Sequence, residues 1–139
     1  MNADIWNLLH DGAVVGVMGA VPGDVRLVIW IDYLRDGFPY PGNRILLTLH
    51  DCTSLSFQPY EAGTALTDLD SIARAEPEIL QAHDWTDAST VDCAGGTLRV
   101  TATEFSLALD NGLSITFDEL CAVSEAYWTA FEKSAPETT

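Results

Sequence analysis

The fold follows from residues 24–32, which read DVRLVIWID. Aliphatic residues stand at every odd position from 25 to 31 and alternate with residues of mixed polarity. Because successive side chains of a strand point to opposite faces of a sheet, this period of two predicts a strand with one buried face. The preceding Pro22-Gly23 is typical of a tight turn, so residues 13–20 are predicted to form the antiparallel partner strand.

The same alternation recurs along the chain and predicts further hairpins. They pair residues 45–49 with 55–57, residues 91–93 with 98–102, and residues 105–109 with 113–117. Gly95-Gly96 and Asp110-Asn111-Gly112 are the turn signals of the last two. Connections this short allow only antiparallel pairing, because parallel strands need a long crossover.

A change of parity marks one point where the sheet has to bend. The apolar positions are even-numbered from Leu98 to Ala102 and odd-numbered from Phe105 to Leu109. A single uninterrupted strand with this pattern would exchange its buried face midway. Thr103-Glu104 is therefore predicted to be a bulge, a sharp bend or a strand that changes sheets, and the sheet is predicted to curl.

A helical period is clear near the C-terminus. Thr116 and Glu119 have the spacing of a capping box, which predicts a helix over residues 118–133. Its apolar face, which should cover one face of the sheet, consists of Leu120, Val123, Tyr127 and Phe131. Shorter helical segments are predicted over residues 67–75, with Thr67 as the cap, over residues 78–83, and as one turn around residues 5–9.

These elements predict the α+β class: a single antiparallel, curled β-sheet (a meander or half-barrel) with a C-terminal amphipathic helix packed on it. Residues 1–133 are expected to form a single domain, followed by a frayed tail over 134–139.

The charge balance limits the class of partner. Six basic and 21 acidic residues give a net charge of −15. Nucleic acids and anionic membranes require Lys and Arg to neutralise phosphate, so the balance argues against both. A basic protein partner is compatible with it, since its approach would be steered by the negative field.

The compartment is predicted from the beginning of the chain and from the cysteines. Residues 1–12 lack the basic residues of a signal peptide, and the apolar stretch 13–22 is too short to span a bilayer. Cys52, Cys93 and Cys121 form no CxxC motif and are interpreted as reduced, mostly buried side chains. We expect a cytoplasmic protein.

Three His-Asp dipeptides are the main candidates for metal chemistry: His10-Asp11, His50-Asp51 and His83-Asp84. Imidazole and carboxylate suit several divalent metals, but neighbouring residues on a strand point to opposite faces and seldom share one ion. We interpret them as coincidental surface and loop pairs. No nucleophile elbow, phosphate-binding loop or dinucleotide-binding motif occurs either, so no catalytic residue, metal site or cofactor is predicted.

The segment 33–43 is long for a hairpin connection and contains Phe38, Tyr40 and two prolines. Rigid aromatic loops often anchor protein partners, which is one interpretation of Phe38 and Tyr40. The other interpretation is that both rings fold back and cap the open end of the sheet.

Six short stretches carry a resemblance to other proteins. They are Asn7-Leu8-Leu9-His10-Asp11-Gly12, Val21-Pro22-Gly23-Asp24-Val25, Tyr33-Leu34-Arg35, Cys52-Thr53, Pro59-Tyr60 and Tyr127-Trp128. Together they resemble a group of small, acidic, uncharacterised bacterial proteins, some of which look like immunity proteins of polymorphic-toxin systems. The matching residues are turn and core residues, so the resemblance implies a binding role and transfers no site residue.

Two functional hypotheses follow. The first is a non-enzymatic, acidic protein-binding module, an immunity-type neutraliser of a basic toxin domain. Its partner-binding residues are predicted from loop position and chemistry to be Asp32, Asp36, Phe38, Tyr40 and Glu61. The alternative is a small enzyme or small-molecule binder that uses the concave face of the curled sheet, with a polar pocket beside Trp6, Trp30 or Trp85.

Overall fold

The computed structural model of the chain describes residues 4–61, 63–84 and 88–134. The strands are β1 (Ala13–Gly19), β2 (Gly23–Trp30), β3 (Arg44–Cys52), β4 (Ser54–Pro59), β5 (Glu78–Asp84), β6 (Ser89–Ala94), β7 (Gly96–Thr101), β8 (Glu104–Leu109) and β9 (Ser114–Ile115). The helices in these ranges are α1 (Asp4–Leu8), α2 (Asp32–Arg35), α3 (Leu69–Ala75) and α4 (Phe117–Ser134).

All nine strands belong to one antiparallel sheet, in the order β4-β7-β6-β5-β1-β2-β3-β8-β9. The sheet is not closed, and α4 packs on it, which confirms the predicted α+β class. The predicted β1–β2 and β6–β7 hairpins are present. The β8–β9 hairpin is present as well, although β9 is shorter than the predicted residues 113–117.

The predicted pairing of residues 45–49 with 55–57 is wrong. β3 pairs with β2 and β8, whereas β4 pairs with β7. Only Thr53 separates β3 from β4, and the shortest common hairpin loop has two residues, so the chain bends here instead of reversing.

The predicted bend near Thr103 is confirmed. β7 ends at Thr101 and pairs with β4, while β8 begins at Glu104 and pairs with β3. The ladder continues across the bend, because the Thr53 amide donates to the Thr101 carbonyl at 2.9 Å and the Thr103 amide donates to the His50 carbonyl at 3.0 Å. Two long strands therefore bend together, and the sheet curls at this point.

The predicted helix over residues 78–83 is wrong, because this segment forms β5. Glu76 adopts a left-handed conformation (φ 46°) that ends α3, and Pro77 follows it. The backbone of β5 then pairs with β6, with Ile79 opposite Cys93. Tertiary pairing outweighs the helix propensity of the segment. In α3 itself, the cap is Asp68, which accepts the Ser71 amide at 3.0 Å, and not Thr67.

One continuous apolar core fills the inner side of the sheet. The odd-numbered residues from Val25 to Ile29 of β2 and from Ile45 to Leu49 of β3 belong to it, and each described helix adds at least one fully buried side chain. These are Ile5 and Trp6 of α1, Leu34 of α2, Ile72 of α3 and Leu120 of α4. None of the described helices is long and apolar enough to cross a membrane.

The capping box of α4 is present as predicted. The Thr116 amide donates to Glu119 Oε1 at 3.1 Å, and the Glu119 amide donates to Thr116 Oγ1 at 3.0 Å. The first half of the helix joins the core through Leu120, and Phe117 meets Phe105 of β8 edge to face. In the second half Phe131 is 52% exposed, so the predicted apolar face is buried over only part of its length.

Candidate functional site: a groove between α2 and α4

A buried arginine determines the shape of the α2–β3 loop (residues 36–43). Arg35 is fully buried, and its Nε donates to Asp110 Oδ1 at 2.8 Å. Its Nη1 donates to the Tyr40 carbonyl at 2.7 Å, and its Nη2 donates to the Pro41 carbonyl at 3.0 Å. Because charge-assisted hydrogen bonds are the stronger ones, Arg35 holds the loop in one conformation from inside.

Asp110 completes this arrangement from the end of β8. Its Oδ2 accepts the backbone amides of Asn43 at 3.1 Å and Arg44 at 3.2 Å. Burial pushes the pKa of Asp110 upward, but the hydrogen bonds from Arg35 and the two amides outweigh this and lower the pKa below its ordinary value of 3.8. The sequence pattern identified Asp110 only as a turn residue and did not reveal its partner Arg35.

The two aromatic residues of the loop have different environments. Phe38 is half-buried and packs against the core, as expected if the ring folds back. Tyr40 is 44% exposed, although its carbonyl is held by Arg35. Of the two predicted anchors, Tyr40 alone presents a large part of its ring to solvent.

A groove of about 660 Å³ lies between α2 and α4. Its lining residues are Asp32, Tyr33, Asp36, Gly37, Ala122, Val123, Ala126 and Tyr127. Asp32 and Asp36 are exposed, whereas Val123 and Tyr127 are half-buried. A Cβ atom at Gly37 would collide with the Val123 side chain, so the glycine permits the close approach of the two elements. The groove thus combines two carboxylates with an apolar wall.

The predicted partner-binding residues are only partly brought together. Asp32 and Asp36 line the same groove. Phe38 and Tyr40 lie in the adjoining loop but are not among the lining residues. Glu61 is exposed in the loop after β4 and does not line the groove either. The α4 wall was missed as part of the site, because the helix was interpreted entirely as a cover for the sheet.

Five rings form an aromatic cluster (His10, Tyr33, Tyr127, Trp128 and Phe131) that continues the α4 wall of the groove. The ring centroids of Tyr33 and Tyr127 are 4.8 Å apart, and those of Tyr127 and Trp128 are 5.0 Å apart. His10 stacks on Trp128 at 5.5 Å. The Tyr33 hydroxyl donates to the His10 carbonyl at 2.8 Å, and burial raises the pKa of Tyr33. The cluster therefore gives the groove a rigid aromatic border.

The histidines of the three His-Asp dipeptides form separate contacts with acids. His50 Nδ1 lies 3.4 Å from Asp24, and His83 Nε2 lies 3.1 Å from Asp92, so these two pair with acids from other strands. His10 Nε2 lies 4.0 Å from the carboxylate of its own neighbour, Asp11. Among the described residues, no three His, Cys, Asp or Glu side chains form a group that could hold a metal ion.

The cysteines and tryptophans complete the set of predicted residues. All three cysteines are free, and burial raises the pKa of Cys93 to about 11, which disfavours its thiolate. Trp6 is fully buried and Trp30 is 48% exposed. Trp85 lies outside the described residues.

Comparisons with protein-family models, with curated proteins and with solved structures gave no match.

Proposed function

We propose that the protein is a non-enzymatic binding module that receives a basic, partly apolar segment of another protein in the α2–α4 groove. The observation that carries this proposal is the position of Asp32 and Asp36 at an apolar wall formed by Val123, Ala126 and Tyr127. Neither aspartate forms an ion pair with another residue of the described part of the chain. Their charges are available to a partner.

The chemistry of the groove favours a protein ligand with two kinds of side chain. A net charge of −15 attracts a basic surface over a distance of about one Debye length, roughly 8 Å at physiological salt. Apolar side chains of the partner would then contact Val123 and the aromatic cluster, where desolvation provides most of the binding free energy. Charge would govern the rate of encounter, and the apolar contacts would govern the lifetime of the complex.

The particular role that we propose is neutralisation of a basic toxin domain, as in an immunity protein. Two observations support it: the acidic charge, and the resemblance of the short stretches from Asn7 to Trp128 to bacterial proteins of that kind. An immunity protein needs a binding surface and no catalytic centre.

One observation bears on the small-molecule alternative. A small cleft beside Trp30 contains the carboxylates of Asp11 and Asp32. It lies on the outer side of β2, because the odd-numbered residues of that strand are buried and Trp30 is exposed. The opposite face of β2, formed by its odd-numbered residues, belongs to the apolar core.

Affinity capture with matched variants tests the proposed function. The wild type, Ala126→Arg and Ala94→Arg are each used as bait in an extract of the source organism. Ala126 lines the groove, whereas Ala94 is an exposed residue at the end of β6, so the same substitution is made inside and outside the site. We expect a basic partner, identified by mass spectrometry, to be retained by the wild type and Ala94→Arg and lost with Ala126→Arg.

Binding kinetics with the identified partner then separate charge from contact. Asp32→Asn with Asp36→Asn should slow association about 3- to 10-fold at low salt and leave dissociation nearly unchanged. The control removes two charges elsewhere, with Asp70→Asn and Glu104→Gln, both exposed and outside the groove. Equal capture by Ala126→Arg, together with an association rate that does not respond to salt, would contradict the proposal.

A further inference from the structure

The cleft beside Trp30 adjoins the groove, with which it shares Asp32 and Tyr33. It has a volume of about 360 Å³ and is lined by Asp11, Ala13, Trp30, Ile31, Asp32 and Tyr33. Ile31 is almost fully buried and forms an apolar base, whereas both aspartates are exposed. The cleft is therefore small, partly aromatic and negatively charged.

The exposed indole of Trp30 is oriented by one hydrogen bond and has a small residue beside it. Its Nε1 donates to Asp32 Oδ1 at 3.0 Å, which orients the ring and leaves Asp32 Oδ2 available. On the neighbouring strand, Ala13 pairs with Trp30, and its small side chain leaves room beside the ring. An exposed aromatic ring next to a carboxylate is the combination that binds organic cations.

The second carboxylate of the cleft is also positioned by the backbone. The Asp11 amide donates to the Ile79 carbonyl at 2.7 Å, which fixes the residue between α1 and β1. The Nε2 atom of the neighbouring His10 imidazole lies 4.0 Å from the Asp11 carboxylate.

The basic residue opposite Trp30 in the sheet forms its hydrogen bond outside the cleft. Arg44 lies opposite Trp30 on β3, and its Nη1 donates to Asn43 Oδ1 at 2.9 Å. Within the described ranges, no Arg or Lys forms an ion pair with Asp11 or Asp32. Two carboxylates and an exposed indole thus line one cleft, and neither carboxylate is paired with an Arg or Lys of the described ranges.

We propose that this cleft binds the guanidinium group of an arginine side chain. A guanidinium is planar, stacks on an indole ring and directs several N–H donors to carboxylates at once. A lysine ammonium is more strongly hydrated and lacks this planar stacking, so it should bind more weakly. The identification of the natural occupant as an arginine of the basic partner rests on the proposed function, but the cleft itself can be tested with small probes.

In the test, the full chain is titrated with N-acetyl-arginine methylamide, and binding is monitored through the NMR chemical shift of the Trp30 indole N–H. The matched probes are the lysine derivative and the citrulline derivative, which has the shape of arginine without its charge. We expect saturable shifts with a dissociation constant of roughly 1–10 mM for arginine, at least about 5-fold weaker binding of lysine, and no binding of citrulline. Equal binding of lysine or citrulline would overturn the guanidinium assignment.

Variants locate the site. Asp11→Asn and Trp30→Leu should each weaken arginine binding at least about 5-fold, with the backbone amide of residue 11 as the reporter where the indole is absent. Asp36→Asn removes the same charge from the groove but not from the cleft, and should leave the affinity within about 2-fold. An equal loss in Asp36→Asn would mean that only the overall charge attracts the probe, and would overturn the assignment.

The arginine titration tests the cleft independently of the partner-capture experiment, which tests the proposed function of the groove. Ala126 lines the groove and not the cleft, so partner capture by Ala126→Arg reports on the groove. Capture of a basic partner by the groove without binding of the arginine probe would overturn only the inference about the cleft. Arginine binding in the cleft together with equal partner capture by Ala126→Arg would overturn only the proposal about the groove.

Discussion

The two halves of α4 have the same apolar period but different surroundings. In the first half, Leu120 is fully buried and Ser124 is 8% exposed. In the second half, Ala126 is exposed and Phe131 is 52% exposed. The helix lies against the short helices α1 and α2, which cover only part of its length. The helical spacing of the apolar residues therefore predicts an amphipathic helix, but it does not predict which elements cover the apolar face, because these are distant in the chain.

The same division is found in α2 and in Asp36, the residue that follows it. Leu34 and Arg35 are fully buried, whereas Asp32 and Asp36 are exposed at the groove. Each of the two helices thus has an inner surface that stabilises the fold and an outer surface that is available for binding. Substitutions on the inner surfaces should change stability, and those on the outer surfaces should change binding.

The largest effect is expected for Arg35→Met. The substitution leaves the Asp110 carboxylate without its cation and the carbonyls of Tyr40 and Pro41 without their donors. Removing one partner of a fully buried ion pair typically costs about 3–5 kcal/mol. The Asp110 side chain is 23% exposed, so we expect a loss near the lower end of this range. Urea unfolding measures the loss, and Arg99→Met, at an exposed position of β7, is the control. A loss below about 1 kcal/mol would mean that the loop is held by other contacts.

Leu120→Ala should have the next largest effect. Leu120 is fully buried where α4 meets the core, and a Leu→Ala change at such a site costs about 2–5 kcal/mol through lost burial and the cavity that remains. Leu113→Ala makes the same change at a position that is 45% exposed and should cost less than about 1 kcal/mol. Similar losses in both variants, measured by urea unfolding, would contradict the description of the first half of α4 as core.

Local patterns predicted much of the fold because they depend on neighbouring residues. The alternation in residues 25–31, the turn at Asn111-Gly112 and the Thr116–Glu119 capping box all act within a few positions. The change of parity between Ala102 and Phe105 even located the bend, since a strand cannot exchange its buried face without one.

The errors and omissions arise from contacts over long distances in the chain. Residues 78–83 have helix-forming side chains, and their strand is stabilised by pairing with β6. Arg35 and Asp110 are 75 residues apart, so no local pattern joins them. Asp32 and Asp36 could be predicted from loop position and charge, but their apolar wall on α4 could not, because it depends on how α4 packs against α2.

A smaller loss of stability is expected on acidification, because it protonates Asp110, the partner of the buried Arg35 of α2. Its pKa is lowered in the folded protein below the ordinary value of 3.8, so its ionised form favours folding. The carboxylate makes its full contribution to stability at pH values well above 3.8, the ordinary pKa that it has in the unfolded chain. The contribution is lost as the pH falls from 3.8 towards the lower pKa of the folded state. Asp24 and Asp92, whose pKa values are also lowered, contribute in the same direction.

Asp110→Asn isolates the contribution of this one carboxylate. The variant has no group to titrate at position 110, so its stability should fall less steeply than that of the wild type as the pH is lowered below about 4. Urea unfolding at several pH values between about 2.5 and 6 gives the two slopes. Parallel pH profiles for the two proteins would show that the Arg35–Asp110 pair contributes nothing to the acid sensitivity.

The smallest effect on stability is expected for Phe131→Ala, and it is the most direct test of the two-halves comparison. Phe131 is 52% exposed, and its ring contacts include those with Tyr127 at 6.3 Å and Trp128 at 5.6 Å, which belong to the same half of α4. Alanine also has the higher helix propensity, which offsets part of the lost contact. We expect a change of less than about 1 kcal/mol in urea unfolding.

The matched variant is Phe105→Ala, in which the ring lost is half-buried against Phe117 at the beginning of α4. It should cost more than Phe131→Ala, in the direction of the roughly 3–5 kcal/mol typical of fully buried phenylalanines. If Phe131→Ala is instead the costlier variant, the second half of α4 belongs to the folded core, and its aromatic surface is occupied by the protein's own structure. If Phe131→Ala leaves the stability nearly unchanged but the captured partner dissociates faster from it, the exposed half of α4 serves binding. Phe131 would then contribute little to folding and prolong the lifetime of the complex through an apolar contact.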